Sequence, residues 1–275
     1  MTQHLDIEEL QNLLKTVVEE TTAITEKLAT KASKILSKHE PEKTKDIKLS
    51  GSERSALQKE IKKALQESHY SQGIGFASYS PATQEEQDYW TLEWWYKKED
   101  ELQQAKLENY QNAQRFLDFR SFEWFHKPAQ NKSPCIHGPY VDYICNGAYT
   151  ITLAHPVMIR DQFIGVIATD ILVSALEKLL MPKLKNIKQK AIVINDSSRV
   201  ITSNDVTIRT GTLFRRQSQR LQVLFRFGDA LKQTAPEASG FCSNFLQSDL
   251  LIQVLGKFWL KNSIAFPDEK QNNEI

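Results

Sequence analysis

Two dipeptides constrain this chain more than any other feature. Asn146-Gly147 and Arg160-Asp161 interrupt a run rich in β-branched and aromatic residues, dividing it into strands over 140–145, 148–159 and 162–170. Connections this short join only antiparallel strands, since a parallel pair needs a crossover of about a dozen residues. The middle of the chain is therefore an antiparallel meander. Upstream, the segments 73–80 and 90–96 also read as strands, with Pro81 opening the loop between them.

Helical spacing dominates the N-terminus. Leu10, Leu14, Val17, Thr21, Ile24, Leu28, Lys31 and Ile35 alternate steps of four and three, and Leu13, Val18 and Leu36 widen the stripe. Such a stripe either pairs two protomers or lies along its own domain. Few other early residues are available to bury it, so the expectation is a homodimer through this helix. A polar linker over 39–49 contains Pro41. Ser50-Gly-Ser-Glu53 then forms a capping box, opening a helix whose apolar face is Leu57, Ile61, Ala64 and Leu65.

The remaining pattern predicts a polar helix over 100–114, an aromatic segment over 116–125 and a loop over 127–138. A short helix follows over 173–180, stopped by Pro182. Beyond it, 190–195 and 199–203 read as a strand pair across the turn 196–198, 219–232 as a helix, and 241–262 as two more strands. Strands grouped around helices in this order indicate an α+β fold. The expected division is an N-terminal helix and linker (1–50), a main module (51–180) and a smaller second module (181–275).

Composition narrows the function classes. Of 275 residues, 40% are hydrophobic and 25% charged, with ten Gly and nine Pro, as in ordinary globular proteins. No apolar run approaches the ~20 residues needed to span a bilayer, and the first twenty residues lack the apolar core of a signal peptide. Cys135, Cys145 and Cys242 are too few and scattered for a disulfide framework. The expectation is a cytoplasmic protein without membrane association. Net charge is +1, so the chain as a whole names no polyanionic partner. Locally, 183–226 holds ten Lys or Arg against Asp196 and Asp205, a net of +8, while acids concentrate over 85–108. No nucleic-acid reading element is recognisable in the basic stretch, which reads as a solvated or protein-docking face.

The sequence lacks a phosphate-cradling loop, and Gly73 and Gly75 have neither the third glycine nor the following helix of a dinucleotide turn. No nucleophile elbow is present. Cys135-Ile-His137 with Cys145 does not match the usual closed zinc sites, and His126 and His155 read as surface or structural residues. The expectation is a protein that is not an enzyme and uses no metal or cofactor.

Aromatic residues and a few acids remain. Trp90, Trp94, Trp95 and Tyr96 fall within seven residues, and Phe116, Phe119, Phe122, Trp124 and Phe125 within ten. Ring faces carry negative quadrupoles, so several around a carboxylate suit an ammonium group, although rings also simply fill cores. Trp94 and Trp95 must face opposite sides of a strand; Trp94 is the candidate of the two. Asp142 and Asp170 lie inside strand-like runs, where an unpaired carboxylate costs several kcal/mol. Either each meets a cation, donors or water, or it marks a turn or cap, as Asp170 would if it N-capped the helix that follows.

Four segments in order carry a family resemblance: Asp118-Phe-Arg-Ser-Phe-Glu-Trp-Phe125, Gly138-Pro-Tyr-Val-Asp142, Thr150-Ile-Thr-Leu-Ala-His-Pro-Val157 and Gly165-Val-Ile-Ala-Thr-Asp170. Over about 71–175 the chain resembles Cache sensor domains, PAS-like modules that bind small molecules in bacterial chemoreceptors and sensor kinases. The run 190–203 resembles the opening of the second PAS-like module of double Cache domains. The resemblance implies a PAS-like antiparallel sheet for both modules, and it implies that Asp142 and Asp170 hold a ligand amine beside Tyr140. The family's aromatic pair falls on Trp124 and Phe125. Its carboxylate-clamping arginine falls on Phe122, with Arg120 two residues away, so the amine half of the site is retained without the group best shaped for a carboxylate. The chain is similar to the less common soluble, free-standing members, which signal through a partner. The expected function is a sensor for a cationic amine (alkylamine, amino alcohol, polyamine or quaternary ammonium) with an unknown regulatory protein partner. The alternatives are an interaction module with a vestigial pocket, an amino-acid sensor, or an unrecognised enzyme.

Overall fold

A computed structural model describes residues 2–39, 48–80, 89–99, 101–105, 119–143, 147–195, 197–214, 222–226 and 251–255. Its centre is a six-stranded antiparallel sheet built from β1 (Gly73–Ser80), β2 (Tyr89–Lys98), β3 (Glu101–Gln104), β4 (Cys135–Asp142), β5 (Ala148–Ile159) and β6 (Gln162–Leu172). The strand order is β3-β2-β1-β6-β5-β4. The predicted meander is β4-β5-β6. Arg160 and Asp161, both at positive φ, form its second turn, a backbone geometry that matches the right-handed twist of the flanking strands. The non-consecutive pairing of β1 with β6 sets Gly73 opposite Asp170.

Helices α1 (Thr2–Ile35) and α2 (Gly51–Glu67) cover one face. The capping box at Ser50 forms as expected: Glu53 N donates to Ser50 Oγ and Ser50 N to Glu53 Oε2. The long stripe is consumed within the chain. Leu10, Leu14, Val17 and Val18 pack with Ile151, Leu153 and Ile171. Leu28, Ala29, Ala32 and Leu36 pack with α2 and with Ile74, Phe76 and Ile167. The premise for a homodimer through this stripe, that nothing local covers it, therefore fails: the sheet covers it. Thr21, out of place in a coiled-coil seam, is buried with its hydroxyl donating to the Val17 carbonyl.

Four expectations are corrected. Residues 101–104, expected in a helix, form β3; Glu99 at positive φ turns the chain, and Gln103 accepts from the Tyr96 hydroxyl across the pair. The expected loop 127–138 is instead the end of α3 (Glu123–Asn131) and the start of β4, because Trp124, Phe125 and Pro128 give α3 a buried face. Helix α4 (Val173–Leu184) runs through Pro182, held by Leu176, Leu180 and Leu184 in the core. Finally, 222–226, expected within a helix, is strand β9 (Gln222–Arg226), whose pairing with β10 (Leu251–Leu255) decides its conformation. With β7 (Lys190–Ile194) and β8 (Val200–Ser203) these make a second antiparallel sheet, order β8-β7-β10-β9. Ala191, Val193 and Ile201 join the core of α1 and α4. The rest of 219–262, together with Phe116, Cys145 and Cys242, lies outside the described residues.

Candidate functional site

Strand alternation splits the six-stranded sheet into two chemical faces. Ile74, Phe76 and Ile167 point towards α1 and α2. Their neighbours Ala77, Val166 and Ala168 point the other way, where they meet Trp94, Phe119, Trp124 and Phe125. The floor on this side is made of very small residues. A Cβ at Gly73 would lie 2.9 Å from Trp94 Nε1, and one at Gly75 would lie 2.3 Å from Trp94 Cε3. The two glycines of β1 therefore let the indole lie flat on the sheet, a purpose not evident in the sequence.

Rings from α3 and the 3₁₀ turn before it (Phe119–Ser121) form the opposite wall. Phe119 stacks on Trp124 at 6.0 Å and meets Phe125 edge-on at 5.0 Å; Phe122 stacks on Trp124 at 6.3 Å and lies 5.4 Å from Tyr140. Trp95, as alternation requires, faces the other way, beneath Lys62 of α2.

A bulge aims Tyr140 and Asp142. His137 pairs with Thr152 but Tyr140 pairs with Thr150, so β4 gains one residue at Gly138-Pro139. Gly138 adopts φ +124, and a Cβ there would lie 2.6 Å from the Thr150 carbonyl oxygen. Before the bulge the odd residue Cys135 packs in the ring cluster; after it the even residue Tyr140 does. Without the inserted residue Val141 would take the inward place. The segment Gly-Pro-Tyr-Val-Asp thus reads as a parity switch that turns Tyr140 and Asp142 towards the rings.

Asp170 is 3% exposed and lies directly across the ladder from Thr152, whose hydroxyl donates to Oδ1 at 2.6 Å. The Tyr140 and Thr152 hydroxyls are 2.9 Å apart. Burial first, and the neighbouring charge of Asp142 second, push the Asp170 carboxyl well above the usual carboxylate range, while the Thr152 hydrogen bond acts in the opposite sense. Asp170 forms no ion pair with Lys, Arg or His among the described residues. Glu93, equally buried but on the α2 side, contrasts with it: Arg54, Gln58 and Gln104 all donate to its carboxylate. The capping alternative for Asp170 is excluded, since the N-cap of α4 is Leu172 and Asp170 is paired on both sides within β6.

Of the candidate residues, Trp94, Phe122, Trp124, Phe125 and Tyr140 share one cluster, and Asp142 and Asp170 interact directly. The Arg120 guanidinium lies 4.4 Å over the Tyr79 ring. Sequence reasoning missed Thr152 and His137. The His137 ring is 4.8 Å from that of Tyr140, and its Nδ1 is 3.2 Å from Glu123 Oε2, which also binds Lys127 at 2.7 Å. Burial pushes the His137 imidazole below its ordinary range and the Cys135 thiol up to about 12. Among the described residues no group of three or more His, Cys, Asp or Glu is arranged to hold a metal ion, and no helix is long and apolar enough to cross a membrane.

Residues 57–178 match the family model "Methyl-accepting chemotaxis protein-like, first PDC sensor domain". No curated protein matches the chain in sequence. Among solved structures, "Methyl-accepting Chemotaxis protein X" is similar in fold at 14% identity, with a TM-score of 0.59, covering 92% of this chain and 95% of that one. The periplasmic sensory domain of the Campylobacter jejuni chemoreceptor Tlp1 gives a TM-score of 0.54 at 14% identity, covering 73% and 70%. An extracellular ligand binding receptor from Desulfohalobium retbaense gives 0.55 at 12% identity, covering 93% of this chain and 40% of that one. At these identities the structures speak to fold alone; the segment 57–178, less than half of the chain, is similar to PDC sensor domains of the Cache, PAS-like type.

Proposed function

We propose that this sensor domain binds a cationic amine between Asp142 and Asp170, beneath the rings of Phe122, Trp124 and Tyr140, and signals its presence to a protein partner. One observation carries the reading. Asp170 is a carboxylate inside a strand core with a hydroxyl donor on one side, a second acid on the other, and no basic side chain paired with it among the described residues. A buried carboxylate beside a second acid, in a ring-lined place, is costly to ionise until a cation joins it. An ammonium supplies that cation, charge-assisted hydrogen bonds of about 1.5–3 kcal/mol each and a partner for the ring faces.

Phe122 argues for amines over amino acids, because a phenyl ring offers a ligand carboxylate nothing to bind. Calorimetric titration with propylamine, 2-aminoethanol, 1,4-diaminobutane, choline and alanine tests the proposal. At least one amine should bind to the wild type and lose its binding in Asp170→Asn. Silence from every amine, or an affinity indifferent to that substitution, would overturn the assignment.

A further inference from the structure

Trp94 is 4% exposed, yet its indole N–H has no hydrogen-bond partner among the described residues. Trp95 also keeps an unpartnered N–H, but on the opposite face beneath α2. Trp124 Nε1, on α3, is unpartnered too, but of the three it is Trp94 that lies over the strand paired with β6, which carries Asp170. Its Nε1 stands over Gly73, where an added Cβ would be 2.9 Å away, and Gly73 is the cross-strand partner of Asp170. Side chains opposite one another on antiparallel strands start about 5 Å apart. The indole donor thus stands over the ladder position next to Asp170, where Gly73 places no side chain.

A buried donor of this kind selects for an acceptor on whatever lies next to it. With an ammonium on the acids, the acceptor belongs a short reach along the ligand. A second ammonium there would set donor against donor. A carboxylate there would stand beside two acids. A hydroxyl fits, since it accepts from the indole without adding charge. We infer that the ligand is a vicinal amino alcohol, its ammonium on Asp142 and Asp170 and its hydroxyl read by the Trp94 N–H. This inference rests on the amine reading above. Trp94 is thereby a specificity residue, and Gly73 keeps the space for the bridge.

The test compares 2-aminoethanol with propylamine, which matches it in size but has no acceptor, and with 1,2-diaminoethane and glycine. In the wild type, 2-aminoethanol should bind about tenfold more tightly than propylamine, the cost of leaving one buried donor unsatisfied; the diamine and glycine should bind more weakly than 2-aminoethanol. Trp94→Phe should abolish the preference, so that within that variant 2-aminoethanol and propylamine bind equally. In ¹⁵N-labelled wild-type protein, the Trp94 indole N–H resonance should move with 2-aminoethanol and not with propylamine, which decides the matter should the variant fail to fold. Equal affinity for the two amines, a preference that survives Trp94→Phe, or an unmoved indole resonance overturns the inference, while the amine reading stands as long as propylamine binding requires Asp170. If no amine binds at all, both fall together.

Discussion

Thr152 faces Asp170 directly across the β5–β6 ladder and donates its hydroxyl proton to Oδ1 at 2.6 Å. A hydroxyl has a single proton to give, so the Tyr140 hydroxyl, 2.9 Å from Thr152 Oγ1, is the donor in its own bond. The result is a relay from Tyr140 through Thr152 that ends on the carboxylate. It favours the ionised form of Asp170 against burial and the charge of Asp142. Thr152→Val keeps the shape and removes the relay. Amine affinity should fall about tenfold, the worth of one hydrogen bond to a charged group. Thr152→Ser should restore most of it, and calorimetry on the two variants checks this.

The same balance makes binding depend on pH. The Asp170 carboxyl titrates well above its ordinary range because of burial and Asp142, so in the ligand-free protein it holds its proton over part of the acid-to-neutral range. An incoming ammonium displaces that proton. Affinity should therefore rise with pH through the Asp170 titration and level off above it, approaching about tenfold per pH unit on the acid side. Calorimetry in buffers of different ionisation enthalpy should register proton release on binding. An affinity independent of pH would mean that Asp170 is ionised throughout.

Stability should run the other way from binding. A carboxyl whose folded-state titration lies above its unfolded one binds a proton in the folded state over pH values where the unfolded chain has lost it. Stability from this group is therefore present at acid pH and declines as pH rises through the interval. Asp170→Asn removes the ionisable group and keeps the oxygen that accepts from Thr152. In the absence of ligand at neutral pH it should melt ~2–4 °C higher, the shift that about 1 kcal/mol gives in a chain of this size, while binding no amine. A thermal melt beside a titration reads both effects.

Local chemistry made part of this molecule legible. Dipeptide turns and β-branched runs placed β5 within its observed bounds, and the Ser50 capping box opened α2 where it was expected. Period-two alternation separated Trp94 from Trp95. What escaped were features decided by distant partners. Residues 101–104 are too polar to announce a strand, yet they pair with β2. The helical stripe cannot reveal whether a sheet or a second protomer will cover it. Thr152 carries no mark of function until β6 pairs with β5 and sets Asp170 opposite. The parity switch at Gly138-Pro139 inverts the inward set of β4, which simple alternation cannot foresee. Gly73 and Gly75 gain their purpose only once Trp94 lies on them.

The reverse face of β6 offers a test of how the binding strand is fastened. Thr169, next to Asp170 and fully buried, points away from the acids, and its Oγ1 lies 2.7 Å from the Thr25 hydroxyl of α1. The Thr25 proton goes to the Thr21 carbonyl, so Thr169 is the donor to Thr25. This contact between side chains 144 residues apart ties the N-terminal helix to the strand that carries Asp170. Thr25→Val keeps the volume but strands the Thr169 hydroxyl inside the core, a loss of about 1–3 kcal/mol. Urea unfolding should show a lower midpoint with an unchanged m-value, and Thr25→Ser should recover it. Amine affinity of the folded variant should stay within about twofold of the wild type, because the relay from Tyr140 through Thr152 to Asp170 lies on the opposite face. A Thr25→Val protein as stable as the wild type would mean that the hydroxyl pair contributes nothing to the α1–β6 junction.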